Sequence, residues 1–197
     1  MNQSLTGHHG TDHSDRFGGI GSTALLSGAV GFGLGVAAML GRRVAVQAPT
    51  MAAGDWLDGL KREHKMTLGL LDALEQTGPD ETKKRAALLF QLQHALGKHA
   101  VQEEDIIYCA VRDHGASDQA DDLNHDHGYV KQHLYDLEQM DKGDPQFADK
   151  VRELRSLIKE HVEREETDVL AKLHSQLSDD QNRALTRRMN REGMKVG

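Results

Sequence analysis

Residues 151–169 read VRELRSLIKEHVEREETDV, and their pattern decides the fold. Val151, Leu154, Ile158, His161, Glu165 and Val169 recur at steps of three and four, the period that lines one face of an α-helix. The stripe is apolar except at its middle, where a histidine is followed four residues later by a glutamate. Buried charge is costly unless it is paired or bound to metal, so this face asks for a chemical explanation as well as a packing one.

The same pattern recurs upstream. Leu88, Leu92, Leu96, His99, Glu103, Ile106 and Ala110 form one stripe, again with histidine and glutamate four apart. Leu57, Leu60, His64, Leu68 and Leu71 form another, and Ala120, Leu123, His127, Val130, Leu134 and Leu137 a fourth. Asp55 can cap the first of these helices, which ends before Gly78 and Pro79. Asp80 starts the second, which runs to about His114 and Gly115. Ser117 caps the third, and Asp144 followed by Pro145 opens the fourth, which runs to about Ser175. Ser178 with Gln181 is a capping box for a short fifth helix. No stretch alternates as a strand does. The class is therefore all-α, a four-helix bundle over residues 55–175, with a short C-terminal helix and tail over 176–197.

A spacing of four places histidine and glutamate one turn apart on the same face. With His64 and His127, the bundle interior gathers four imidazoles (His64, His99, His127, His161) and two carboxylates (Glu103, Glu165). Six such groups suit two transition-metal ions, two imidazoles terminal on each and both glutamates spanning between them. Imidazole with carboxylate fits iron or manganese, then zinc; the lack of sulfur disfavours copper(I). Either His125 or His127 could be the third-helix ligand, because they lie two residues, roughly 200°, apart. The stripe Leu123, His127, Val130, Leu134 favours His127. By the same geometry His94 and His133 point away from the ligand face, and His114 and His174 are read as partly exposed. Cys109, within an apolar run, is read as a small buried residue. Tyr108 and Tyr129 are candidates to bond ligand imidazoles, with packing the plainer role.

These residues resemble the hemerythrin-like, or HHE cation-binding, domain family. The likeness rests on His64, His99-xxx-Glu103, His127 and His161-xxx-Glu165 in order. It extends to GLKREHKMTLGLLDAL at 59–74, KHAVQEEDIIY at 98–108 and KEHVEREETDVL at 159–170. It covers about residues 55–175 and implies an up-down-up-down bundle. It implies two iron ions in an oxo- or hydroxo-bridged non-haem centre, with His64, His99, His127 and His161 as nitrogen ligands and Glu103 and Glu165 as bridges. The implied partners are small oxidants, namely O2, hydrogen peroxide or nitric oxide, with catalase-like turnover and stress protection as the enzymatic form. An iron sensor or iron-homeostasis module is the alternative. The oxygen-carrying members have a fifth histidine one turn past the first on the third helix, where this sequence has Lys131. That departure speaks against a reversible oxygen carrier. Ferritin-like bundles differ too, because there glutamate precedes histidine by three.

The whole chain has 197 residues, 12 of them histidine and one cysteine, which rules out a disulfide scaffold and a Cys-based cluster. Lys plus Arg number 24 against 31 Asp plus Glu, a net charge of −7 with no basic stripe, so no nucleic-acid partner is expected. Residues 1–17 read as a disordered tail. Residues 18–43 begin GGIGSTALLSGAVGFGLGVAAMLG, uncharged and long enough to span a bilayer, and end in Arg42 and Arg43. Thr23, Ser27, Gly31 and Gly35 form one stripe of small residues and Ala29, Gly33, Ala37 and Gly41 another, suited to close helix pairing and a homo-oligomer. A flexible Gly- and Ala-rich leader is the competing reading. Residues 44–54 read as a linker. The flanking arginines place the bundle on the cytoplasmic side, and the family resemblance with the anchor-like leader implies a bacterial inner membrane; a soluble cytoplasmic protein is the alternative.

Overall fold

The computed structural model describes residues 47–48 and 50–196. Among these residues the structure is entirely helical. The tail 1–17 and the Gly-rich segment 18–43 lie outside the described residues, as does most of the linker 44–54. Among the described residues no helix is long and apolar enough to cross a membrane.

Helix α1 spans Trp56–Glu75, and its cap is the expected one: the Asp55 carboxylate accepts from the Asp58 N–H at 3.0 Å. Helix α2 spans Thr82–Gln102, a π turn follows over Glu103–Ile107, and α3 continues over Tyr108–Asp113. Helix α4 spans Ser117–Gln139 and α5 Phe147–Arg164. A second π turn covers Glu165–Val169, and α6 (Leu170–Gln176) and α7 (Asp179–Val196) complete the chain.

Three expected starts are displaced. Helix α2 begins at Thr82 rather than Asp80, after Glu81 turns its side chain back to the Gly78 N–H. Ser117 is the first residue of α4, not its cap, because Ala116 occupies the capping position without a side-chain bond. Asp144 accepts from the Gln146 N–H, which folds Asp144 and Pro145 into a turn ahead of α5. The capping box at α7 forms in both directions, Ser178 N–H to Gln181 and Gln181 N–H to Ser178. That helix is longer than expected, since Leu185, Met189 and Gly193 give it a buried face. Trp56 fixes it to α1 by donating through Nε1 to Asn182 at 2.8 Å and through its backbone N–H to Thr186.

Helix α1 packs against α2 and α5, α5 against α4, and α2 against α4 and α7. The apolar interior falls into two clusters. One gathers Trp56, Leu60, Ile107, Tyr108, Leu123, Leu170 and Met189; the other gathers Leu71, Leu92, Val130, Leu137, Phe147, Leu154 and Ile158. At about 1.5–3 kcal/mol for each fully buried large apolar side chain, these clusters dominate the packing energy. Arg85, buried, ties the loops at one end together: it donates to the Thr77 hydroxyl and carbonyl and to the Lys142 carbonyl, and its guanidinium covers the Phe147 ring.

Candidate metal centre

His64 and His127 sit mid-helix and His99 and His161 in the last turn before each π turn, and the helical period aims all four rings at the shared interior. His64, His99, His127 and His161 are all buried. The rings meet in pairs. His64 and His99 have centroids 4.7 Å apart and Nε2 atoms 3.1 Å apart; the His127 and His161 centroids are 4.9 Å apart. Glu103 and Glu165, fully buried, lie between the pairs. Glu103 oxygens reach His99 Nε2 at 3.1 Å, His127 Nε2 at 3.3 Å and His64 Nε2 at 3.8 Å. Glu165 Oε2 lies 3.3 Å from both His64 Nε2 and His161 Nε2. Atoms of His64, His99, Glu103 and Glu165 thus all fall within 4.8 Å of one another, as do those of Glu103, His127 and His161. The six residues singled out in the sequence converge on one place.

The outer nitrogens are ordered as carefully as the inner ones. Each Nδ1 faces a carboxylate on another helical segment: Glu166 for His64 at 2.8 Å, Glu63 for His99 at 3.3 Å, Glu104 for His127 at 2.9 Å, and Asp126 for His161 at 3.2 Å. A carboxylate on Nδ1 holds a proton there, so the inward-pointing Nε2 is the nitrogen that gives up its proton when a metal binds. These acids follow a rule visible along the chain. Glu63 and Asp126 immediately precede His64 and His127; Glu104 and Glu166 immediately follow Glu103 and Glu165. Three of them are held by cations in turn: Glu63 by buried Lys98 at 2.7 Å, Glu104 by Lys131 at 2.9 Å, and Asp126 by Arg164.

Both π turns begin at the inner glutamates. The Tyr108 N–H donates to the Glu103 carbonyl and the Leu170 N–H to the Glu165 carbonyl, each five residues back. In a straight α-helix a residue five positions on points roughly 140° away. The wider turn returns Tyr108 to the side of Glu103, and its buried hydroxyl enters the cluster. Tyr108 Oη lies 2.6 Å from Glu165 Oε1, 3.2 Å from Glu103 Oε2 and 3.3 Å from His127 Nε2. The inserted residue also swings Cys109 outward. Expected to be buried, it is exposed, its thiol against the Glu104 carbonyl.

Concentrated charge shifts His64, His99, Glu103, Glu165 and Tyr108. Burial works against a charged His64, yet bonds to Glu103, Glu165 and Glu166 hold it well above the ordinary imidazole value. Burial likewise opposes a charged His99, but Glu103 and Glu63 take it up to about 9. Glu165 is driven upward by burial and by Glu103, and His161 and His64 override both to bring it down to about 2. Burial would raise Glu103 as well; His99, His127 and His64 hold it well below the carboxylate range. Burial and the two glutamate charges push the Tyr108 phenol well above its usual value, so it stays a donor. Even so, Glu103 Oε1, Glu165 Oε2 and His161 Nε2 are buried without a hydrogen-bond partner. Unsatisfied buried polar atoms cost about 1–3 kcal/mol each. Three of them aimed into one nitrogen- and oxygen-rich cluster fit a bound cation, which satisfies all three at once.

His125 is exposed and bonds Tyr129, so the third-helix histidine of the cluster is His127. Tyr129, itself exposed, plays no part in the cluster. Lys131 donates to the same Glu104 oxygen that faces His127 Nδ1, so it serves the carboxylate and not the inner cluster. A cavity of about 320 Å³ opens between α2 and α4 and reaches all four histidines.

Comparison with known proteins agrees with this geometry. The model of the hemerythrin HHE cation-binding domain matches residues 56–173. A DNA nickase of Nostoc sp. (strain PCC 7120 / SAG 25.82 / UTEX 2576) is 26% identical over 124 residues, which are 63% of this chain and 35% of that protein. The chain thus spans about a third of the length of this curated relative. No solved structure matches. With its buried histidine and glutamate cluster built for metal, this chain belongs to the hemerythrin HHE cation-binding domain family.

Proposed function

We propose that this chain is a di-iron protein that reacts with peroxide, with O2 and nitric oxide as further ligands of the same site. Its four long helical rods form an up-down-up-down bundle. His64 and His99 serve one iron, His127 and His161 the other, and Glu103 and Glu165 lie between. The observation that carries this reading is the double orientation of the imidazoles, every Nε2 inward and every Nδ1 on a carboxylate. Four imidazoles with two carboxylates and no sulfur favour iron, with manganese and zinc behind it.

A bound iron pair supplies the electrons that break an O–O bond. The chain's own residues do the rest. The four outer carboxylates keep the imidazole protons at Nδ1. Glu103 and Glu165 offset cationic charge, and Tyr108 donates a hydrogen bond to Glu165 that holds its orientation. Lys131, standing where the oxygen carriers have a fifth histidine, adds no nitrogen, which favours oxidant chemistry over reversible oxygen carriage. We leave DNA nicking with the Nostoc protein, because a net charge of −7 does not suit phosphate binding. Tethering to a membrane through residues 18–43 belongs to the same proposal.

The test adds hydrogen peroxide to the ferrous protein and follows its optical absorption and any oxygen released. Oxidation of both irons at a stoichiometric dose supports the reading. An unchanged spectrum overturns it.

A further inference from the structure

The cavity beside the histidines is far larger than hydrogen peroxide requires. A water molecule occupies about 30 Å³ of liquid, and a peroxide little more. The cavity measures about 320 Å³, at the lower end of sites that hold small organic molecules. Its wall is apolar over most of its length, built from Leu96, Ala100, Val130, Leu134, Ile158 and Val162. Its polar lining includes Thr67, Glu104 and Tyr135 as well as two further groups. The four histidines are its buried polar side, and Gln93, Lys131 and Glu138 are its solvent-accessible one. Helix α2 makes the space by presenting Gly97, Ala100 and Val101 toward α4. The Lys131 ammonium is neutralised in place by Glu104 at 2.9 Å.

An apolar wall favours an apolar guest over a column of water. The histidine side favours one oxygen-bearing group on that guest. We infer that this cavity binds an uncharged organic hydroperoxide, its alkyl or aryl body among the six apolar side chains and its –OOH group toward the histidines. This rests on the di-iron reading above and names the peroxide class the chain is shaped for. The reaction is ROOH + 2 e− + 2 H+ → ROH + H2O: the O–O bond breaks, two protons come from solvent, and the ferrous pair supplies both electrons and becomes ferric.

The test uses the full chain, iron-loaded and iron-stripped, titrated calorimetrically with cumyl alcohol, the unreactive counterpart of cumene hydroperoxide. Gly97 lines the cavity and a Cβ built there meets nothing within 4 Å, so Gly97→Leu adds bulk at the cavity wall, and replacing a helical glycine favours folding. Saturable binding to the wild type, weakened about tenfold or more in Gly97→Leu at unchanged helicity and iron content, is the expected result. No saturable binding, or equal binding by the variant, overturns the assignment. The ferrous protein should also be oxidised faster by cumene hydroperoxide than by hydrogen peroxide at equal concentration; the reverse order overturns the named class. If neither peroxide oxidises the iron, the di-iron reading falls, while the alcohol titration still judges the cavity.

Discussion

Tyr108 and Glu165 meet at 2.6 Å, joining the segment that carries Glu103 to the segment that carries its counterpart. The contact exists because the π turn after Glu103 brings a residue five positions on back to the same face. The equivalent place after Glu165 is Leu170, so only one of the two π turns delivers a hydroxyl. Enlarged turns of this kind concentrate at functional sites.

Tyr108→Phe keeps the ring and removes the hydroxyl. The fold should persist, and the metal-free protein should lose about 1–2 kcal/mol, the cost of withdrawing a buried donor from a carboxylate. A urea melt checks this: the midpoint falls with its slope unchanged. An identical midpoint would mean that Glu165 does not depend on Tyr108.

The acids behind the imidazoles should govern metal retention. Glu104→Ala and Glu166→Ala each free one Nδ1 and should weaken metal affinity about 10- to 100-fold, by the usual effect of removing such partners. Chelator competition measures it. Asp118→Ala, an exposed change in the first turn of α4, serves as the control and should leave affinity as it was.

These acids mark where the sequence stopped being legible. Period 3.6 was enough to find six inward residues and to prefer His127 over His125, because inward facing depends on position within one helix. Glu63, Glu104, Asp126 and Glu166 are next-door neighbours of those residues and point about 100° away from them, toward other helices. Which helix they meet is a tertiary fact. Tyr108, a candidate from its sequence, does reach a ligand imidazole, but its bonds to both glutamates and the exposure of Cys109 depend on a π turn that no residue pattern announces. The start of α7 was plain from its capping box, but its sparse stripe of Leu185, Met189 and Gly193 hid its length.

Lys98 and Glu63 form a buried ion pair, each only 5% exposed. Lys98→Met leaves Glu63 charged and without its ammonium, and should destabilise the protein by about 3–5 kcal/mol. Adding Glu63→Gln should recover part of that stability but not the metal affinity, because His99 then loses its anionic partner. Denaturant midpoints and metal titrations on the two variants separate the effects.

The metal-free protein should respond to pH in a definite sense. The folded value of His99, about 9, lies above its unfolded value of 6.5. Its stabilisation is therefore complete below pH 6.5 and disappears as pH rises through about 9. Glu165 runs the other way, folded at about 2 against 4.5 unfolded, so its stabilisation is present above pH 4.5 and lost as pH falls through about 2. Stability should peak between about pH 4.5 and 6.5, read from midpoints across pH. Metal affinity should instead rise with pH, because imidazoles must shed protons to bind. A metal-free protein that grows more stable from pH 7 to 9 would refute the His99 assignment.

The central claim is that six side chains on four helical rods hold two irons. Elemental analysis of purified, iron-reconstituted protein tests it most directly, with His99→Ala and His161→Ala in parallel. The account predicts about two irons per chain in the wild type and loss of metal in each variant. Fewer than one iron per wild-type chain, or full retention in both variants, would contradict it.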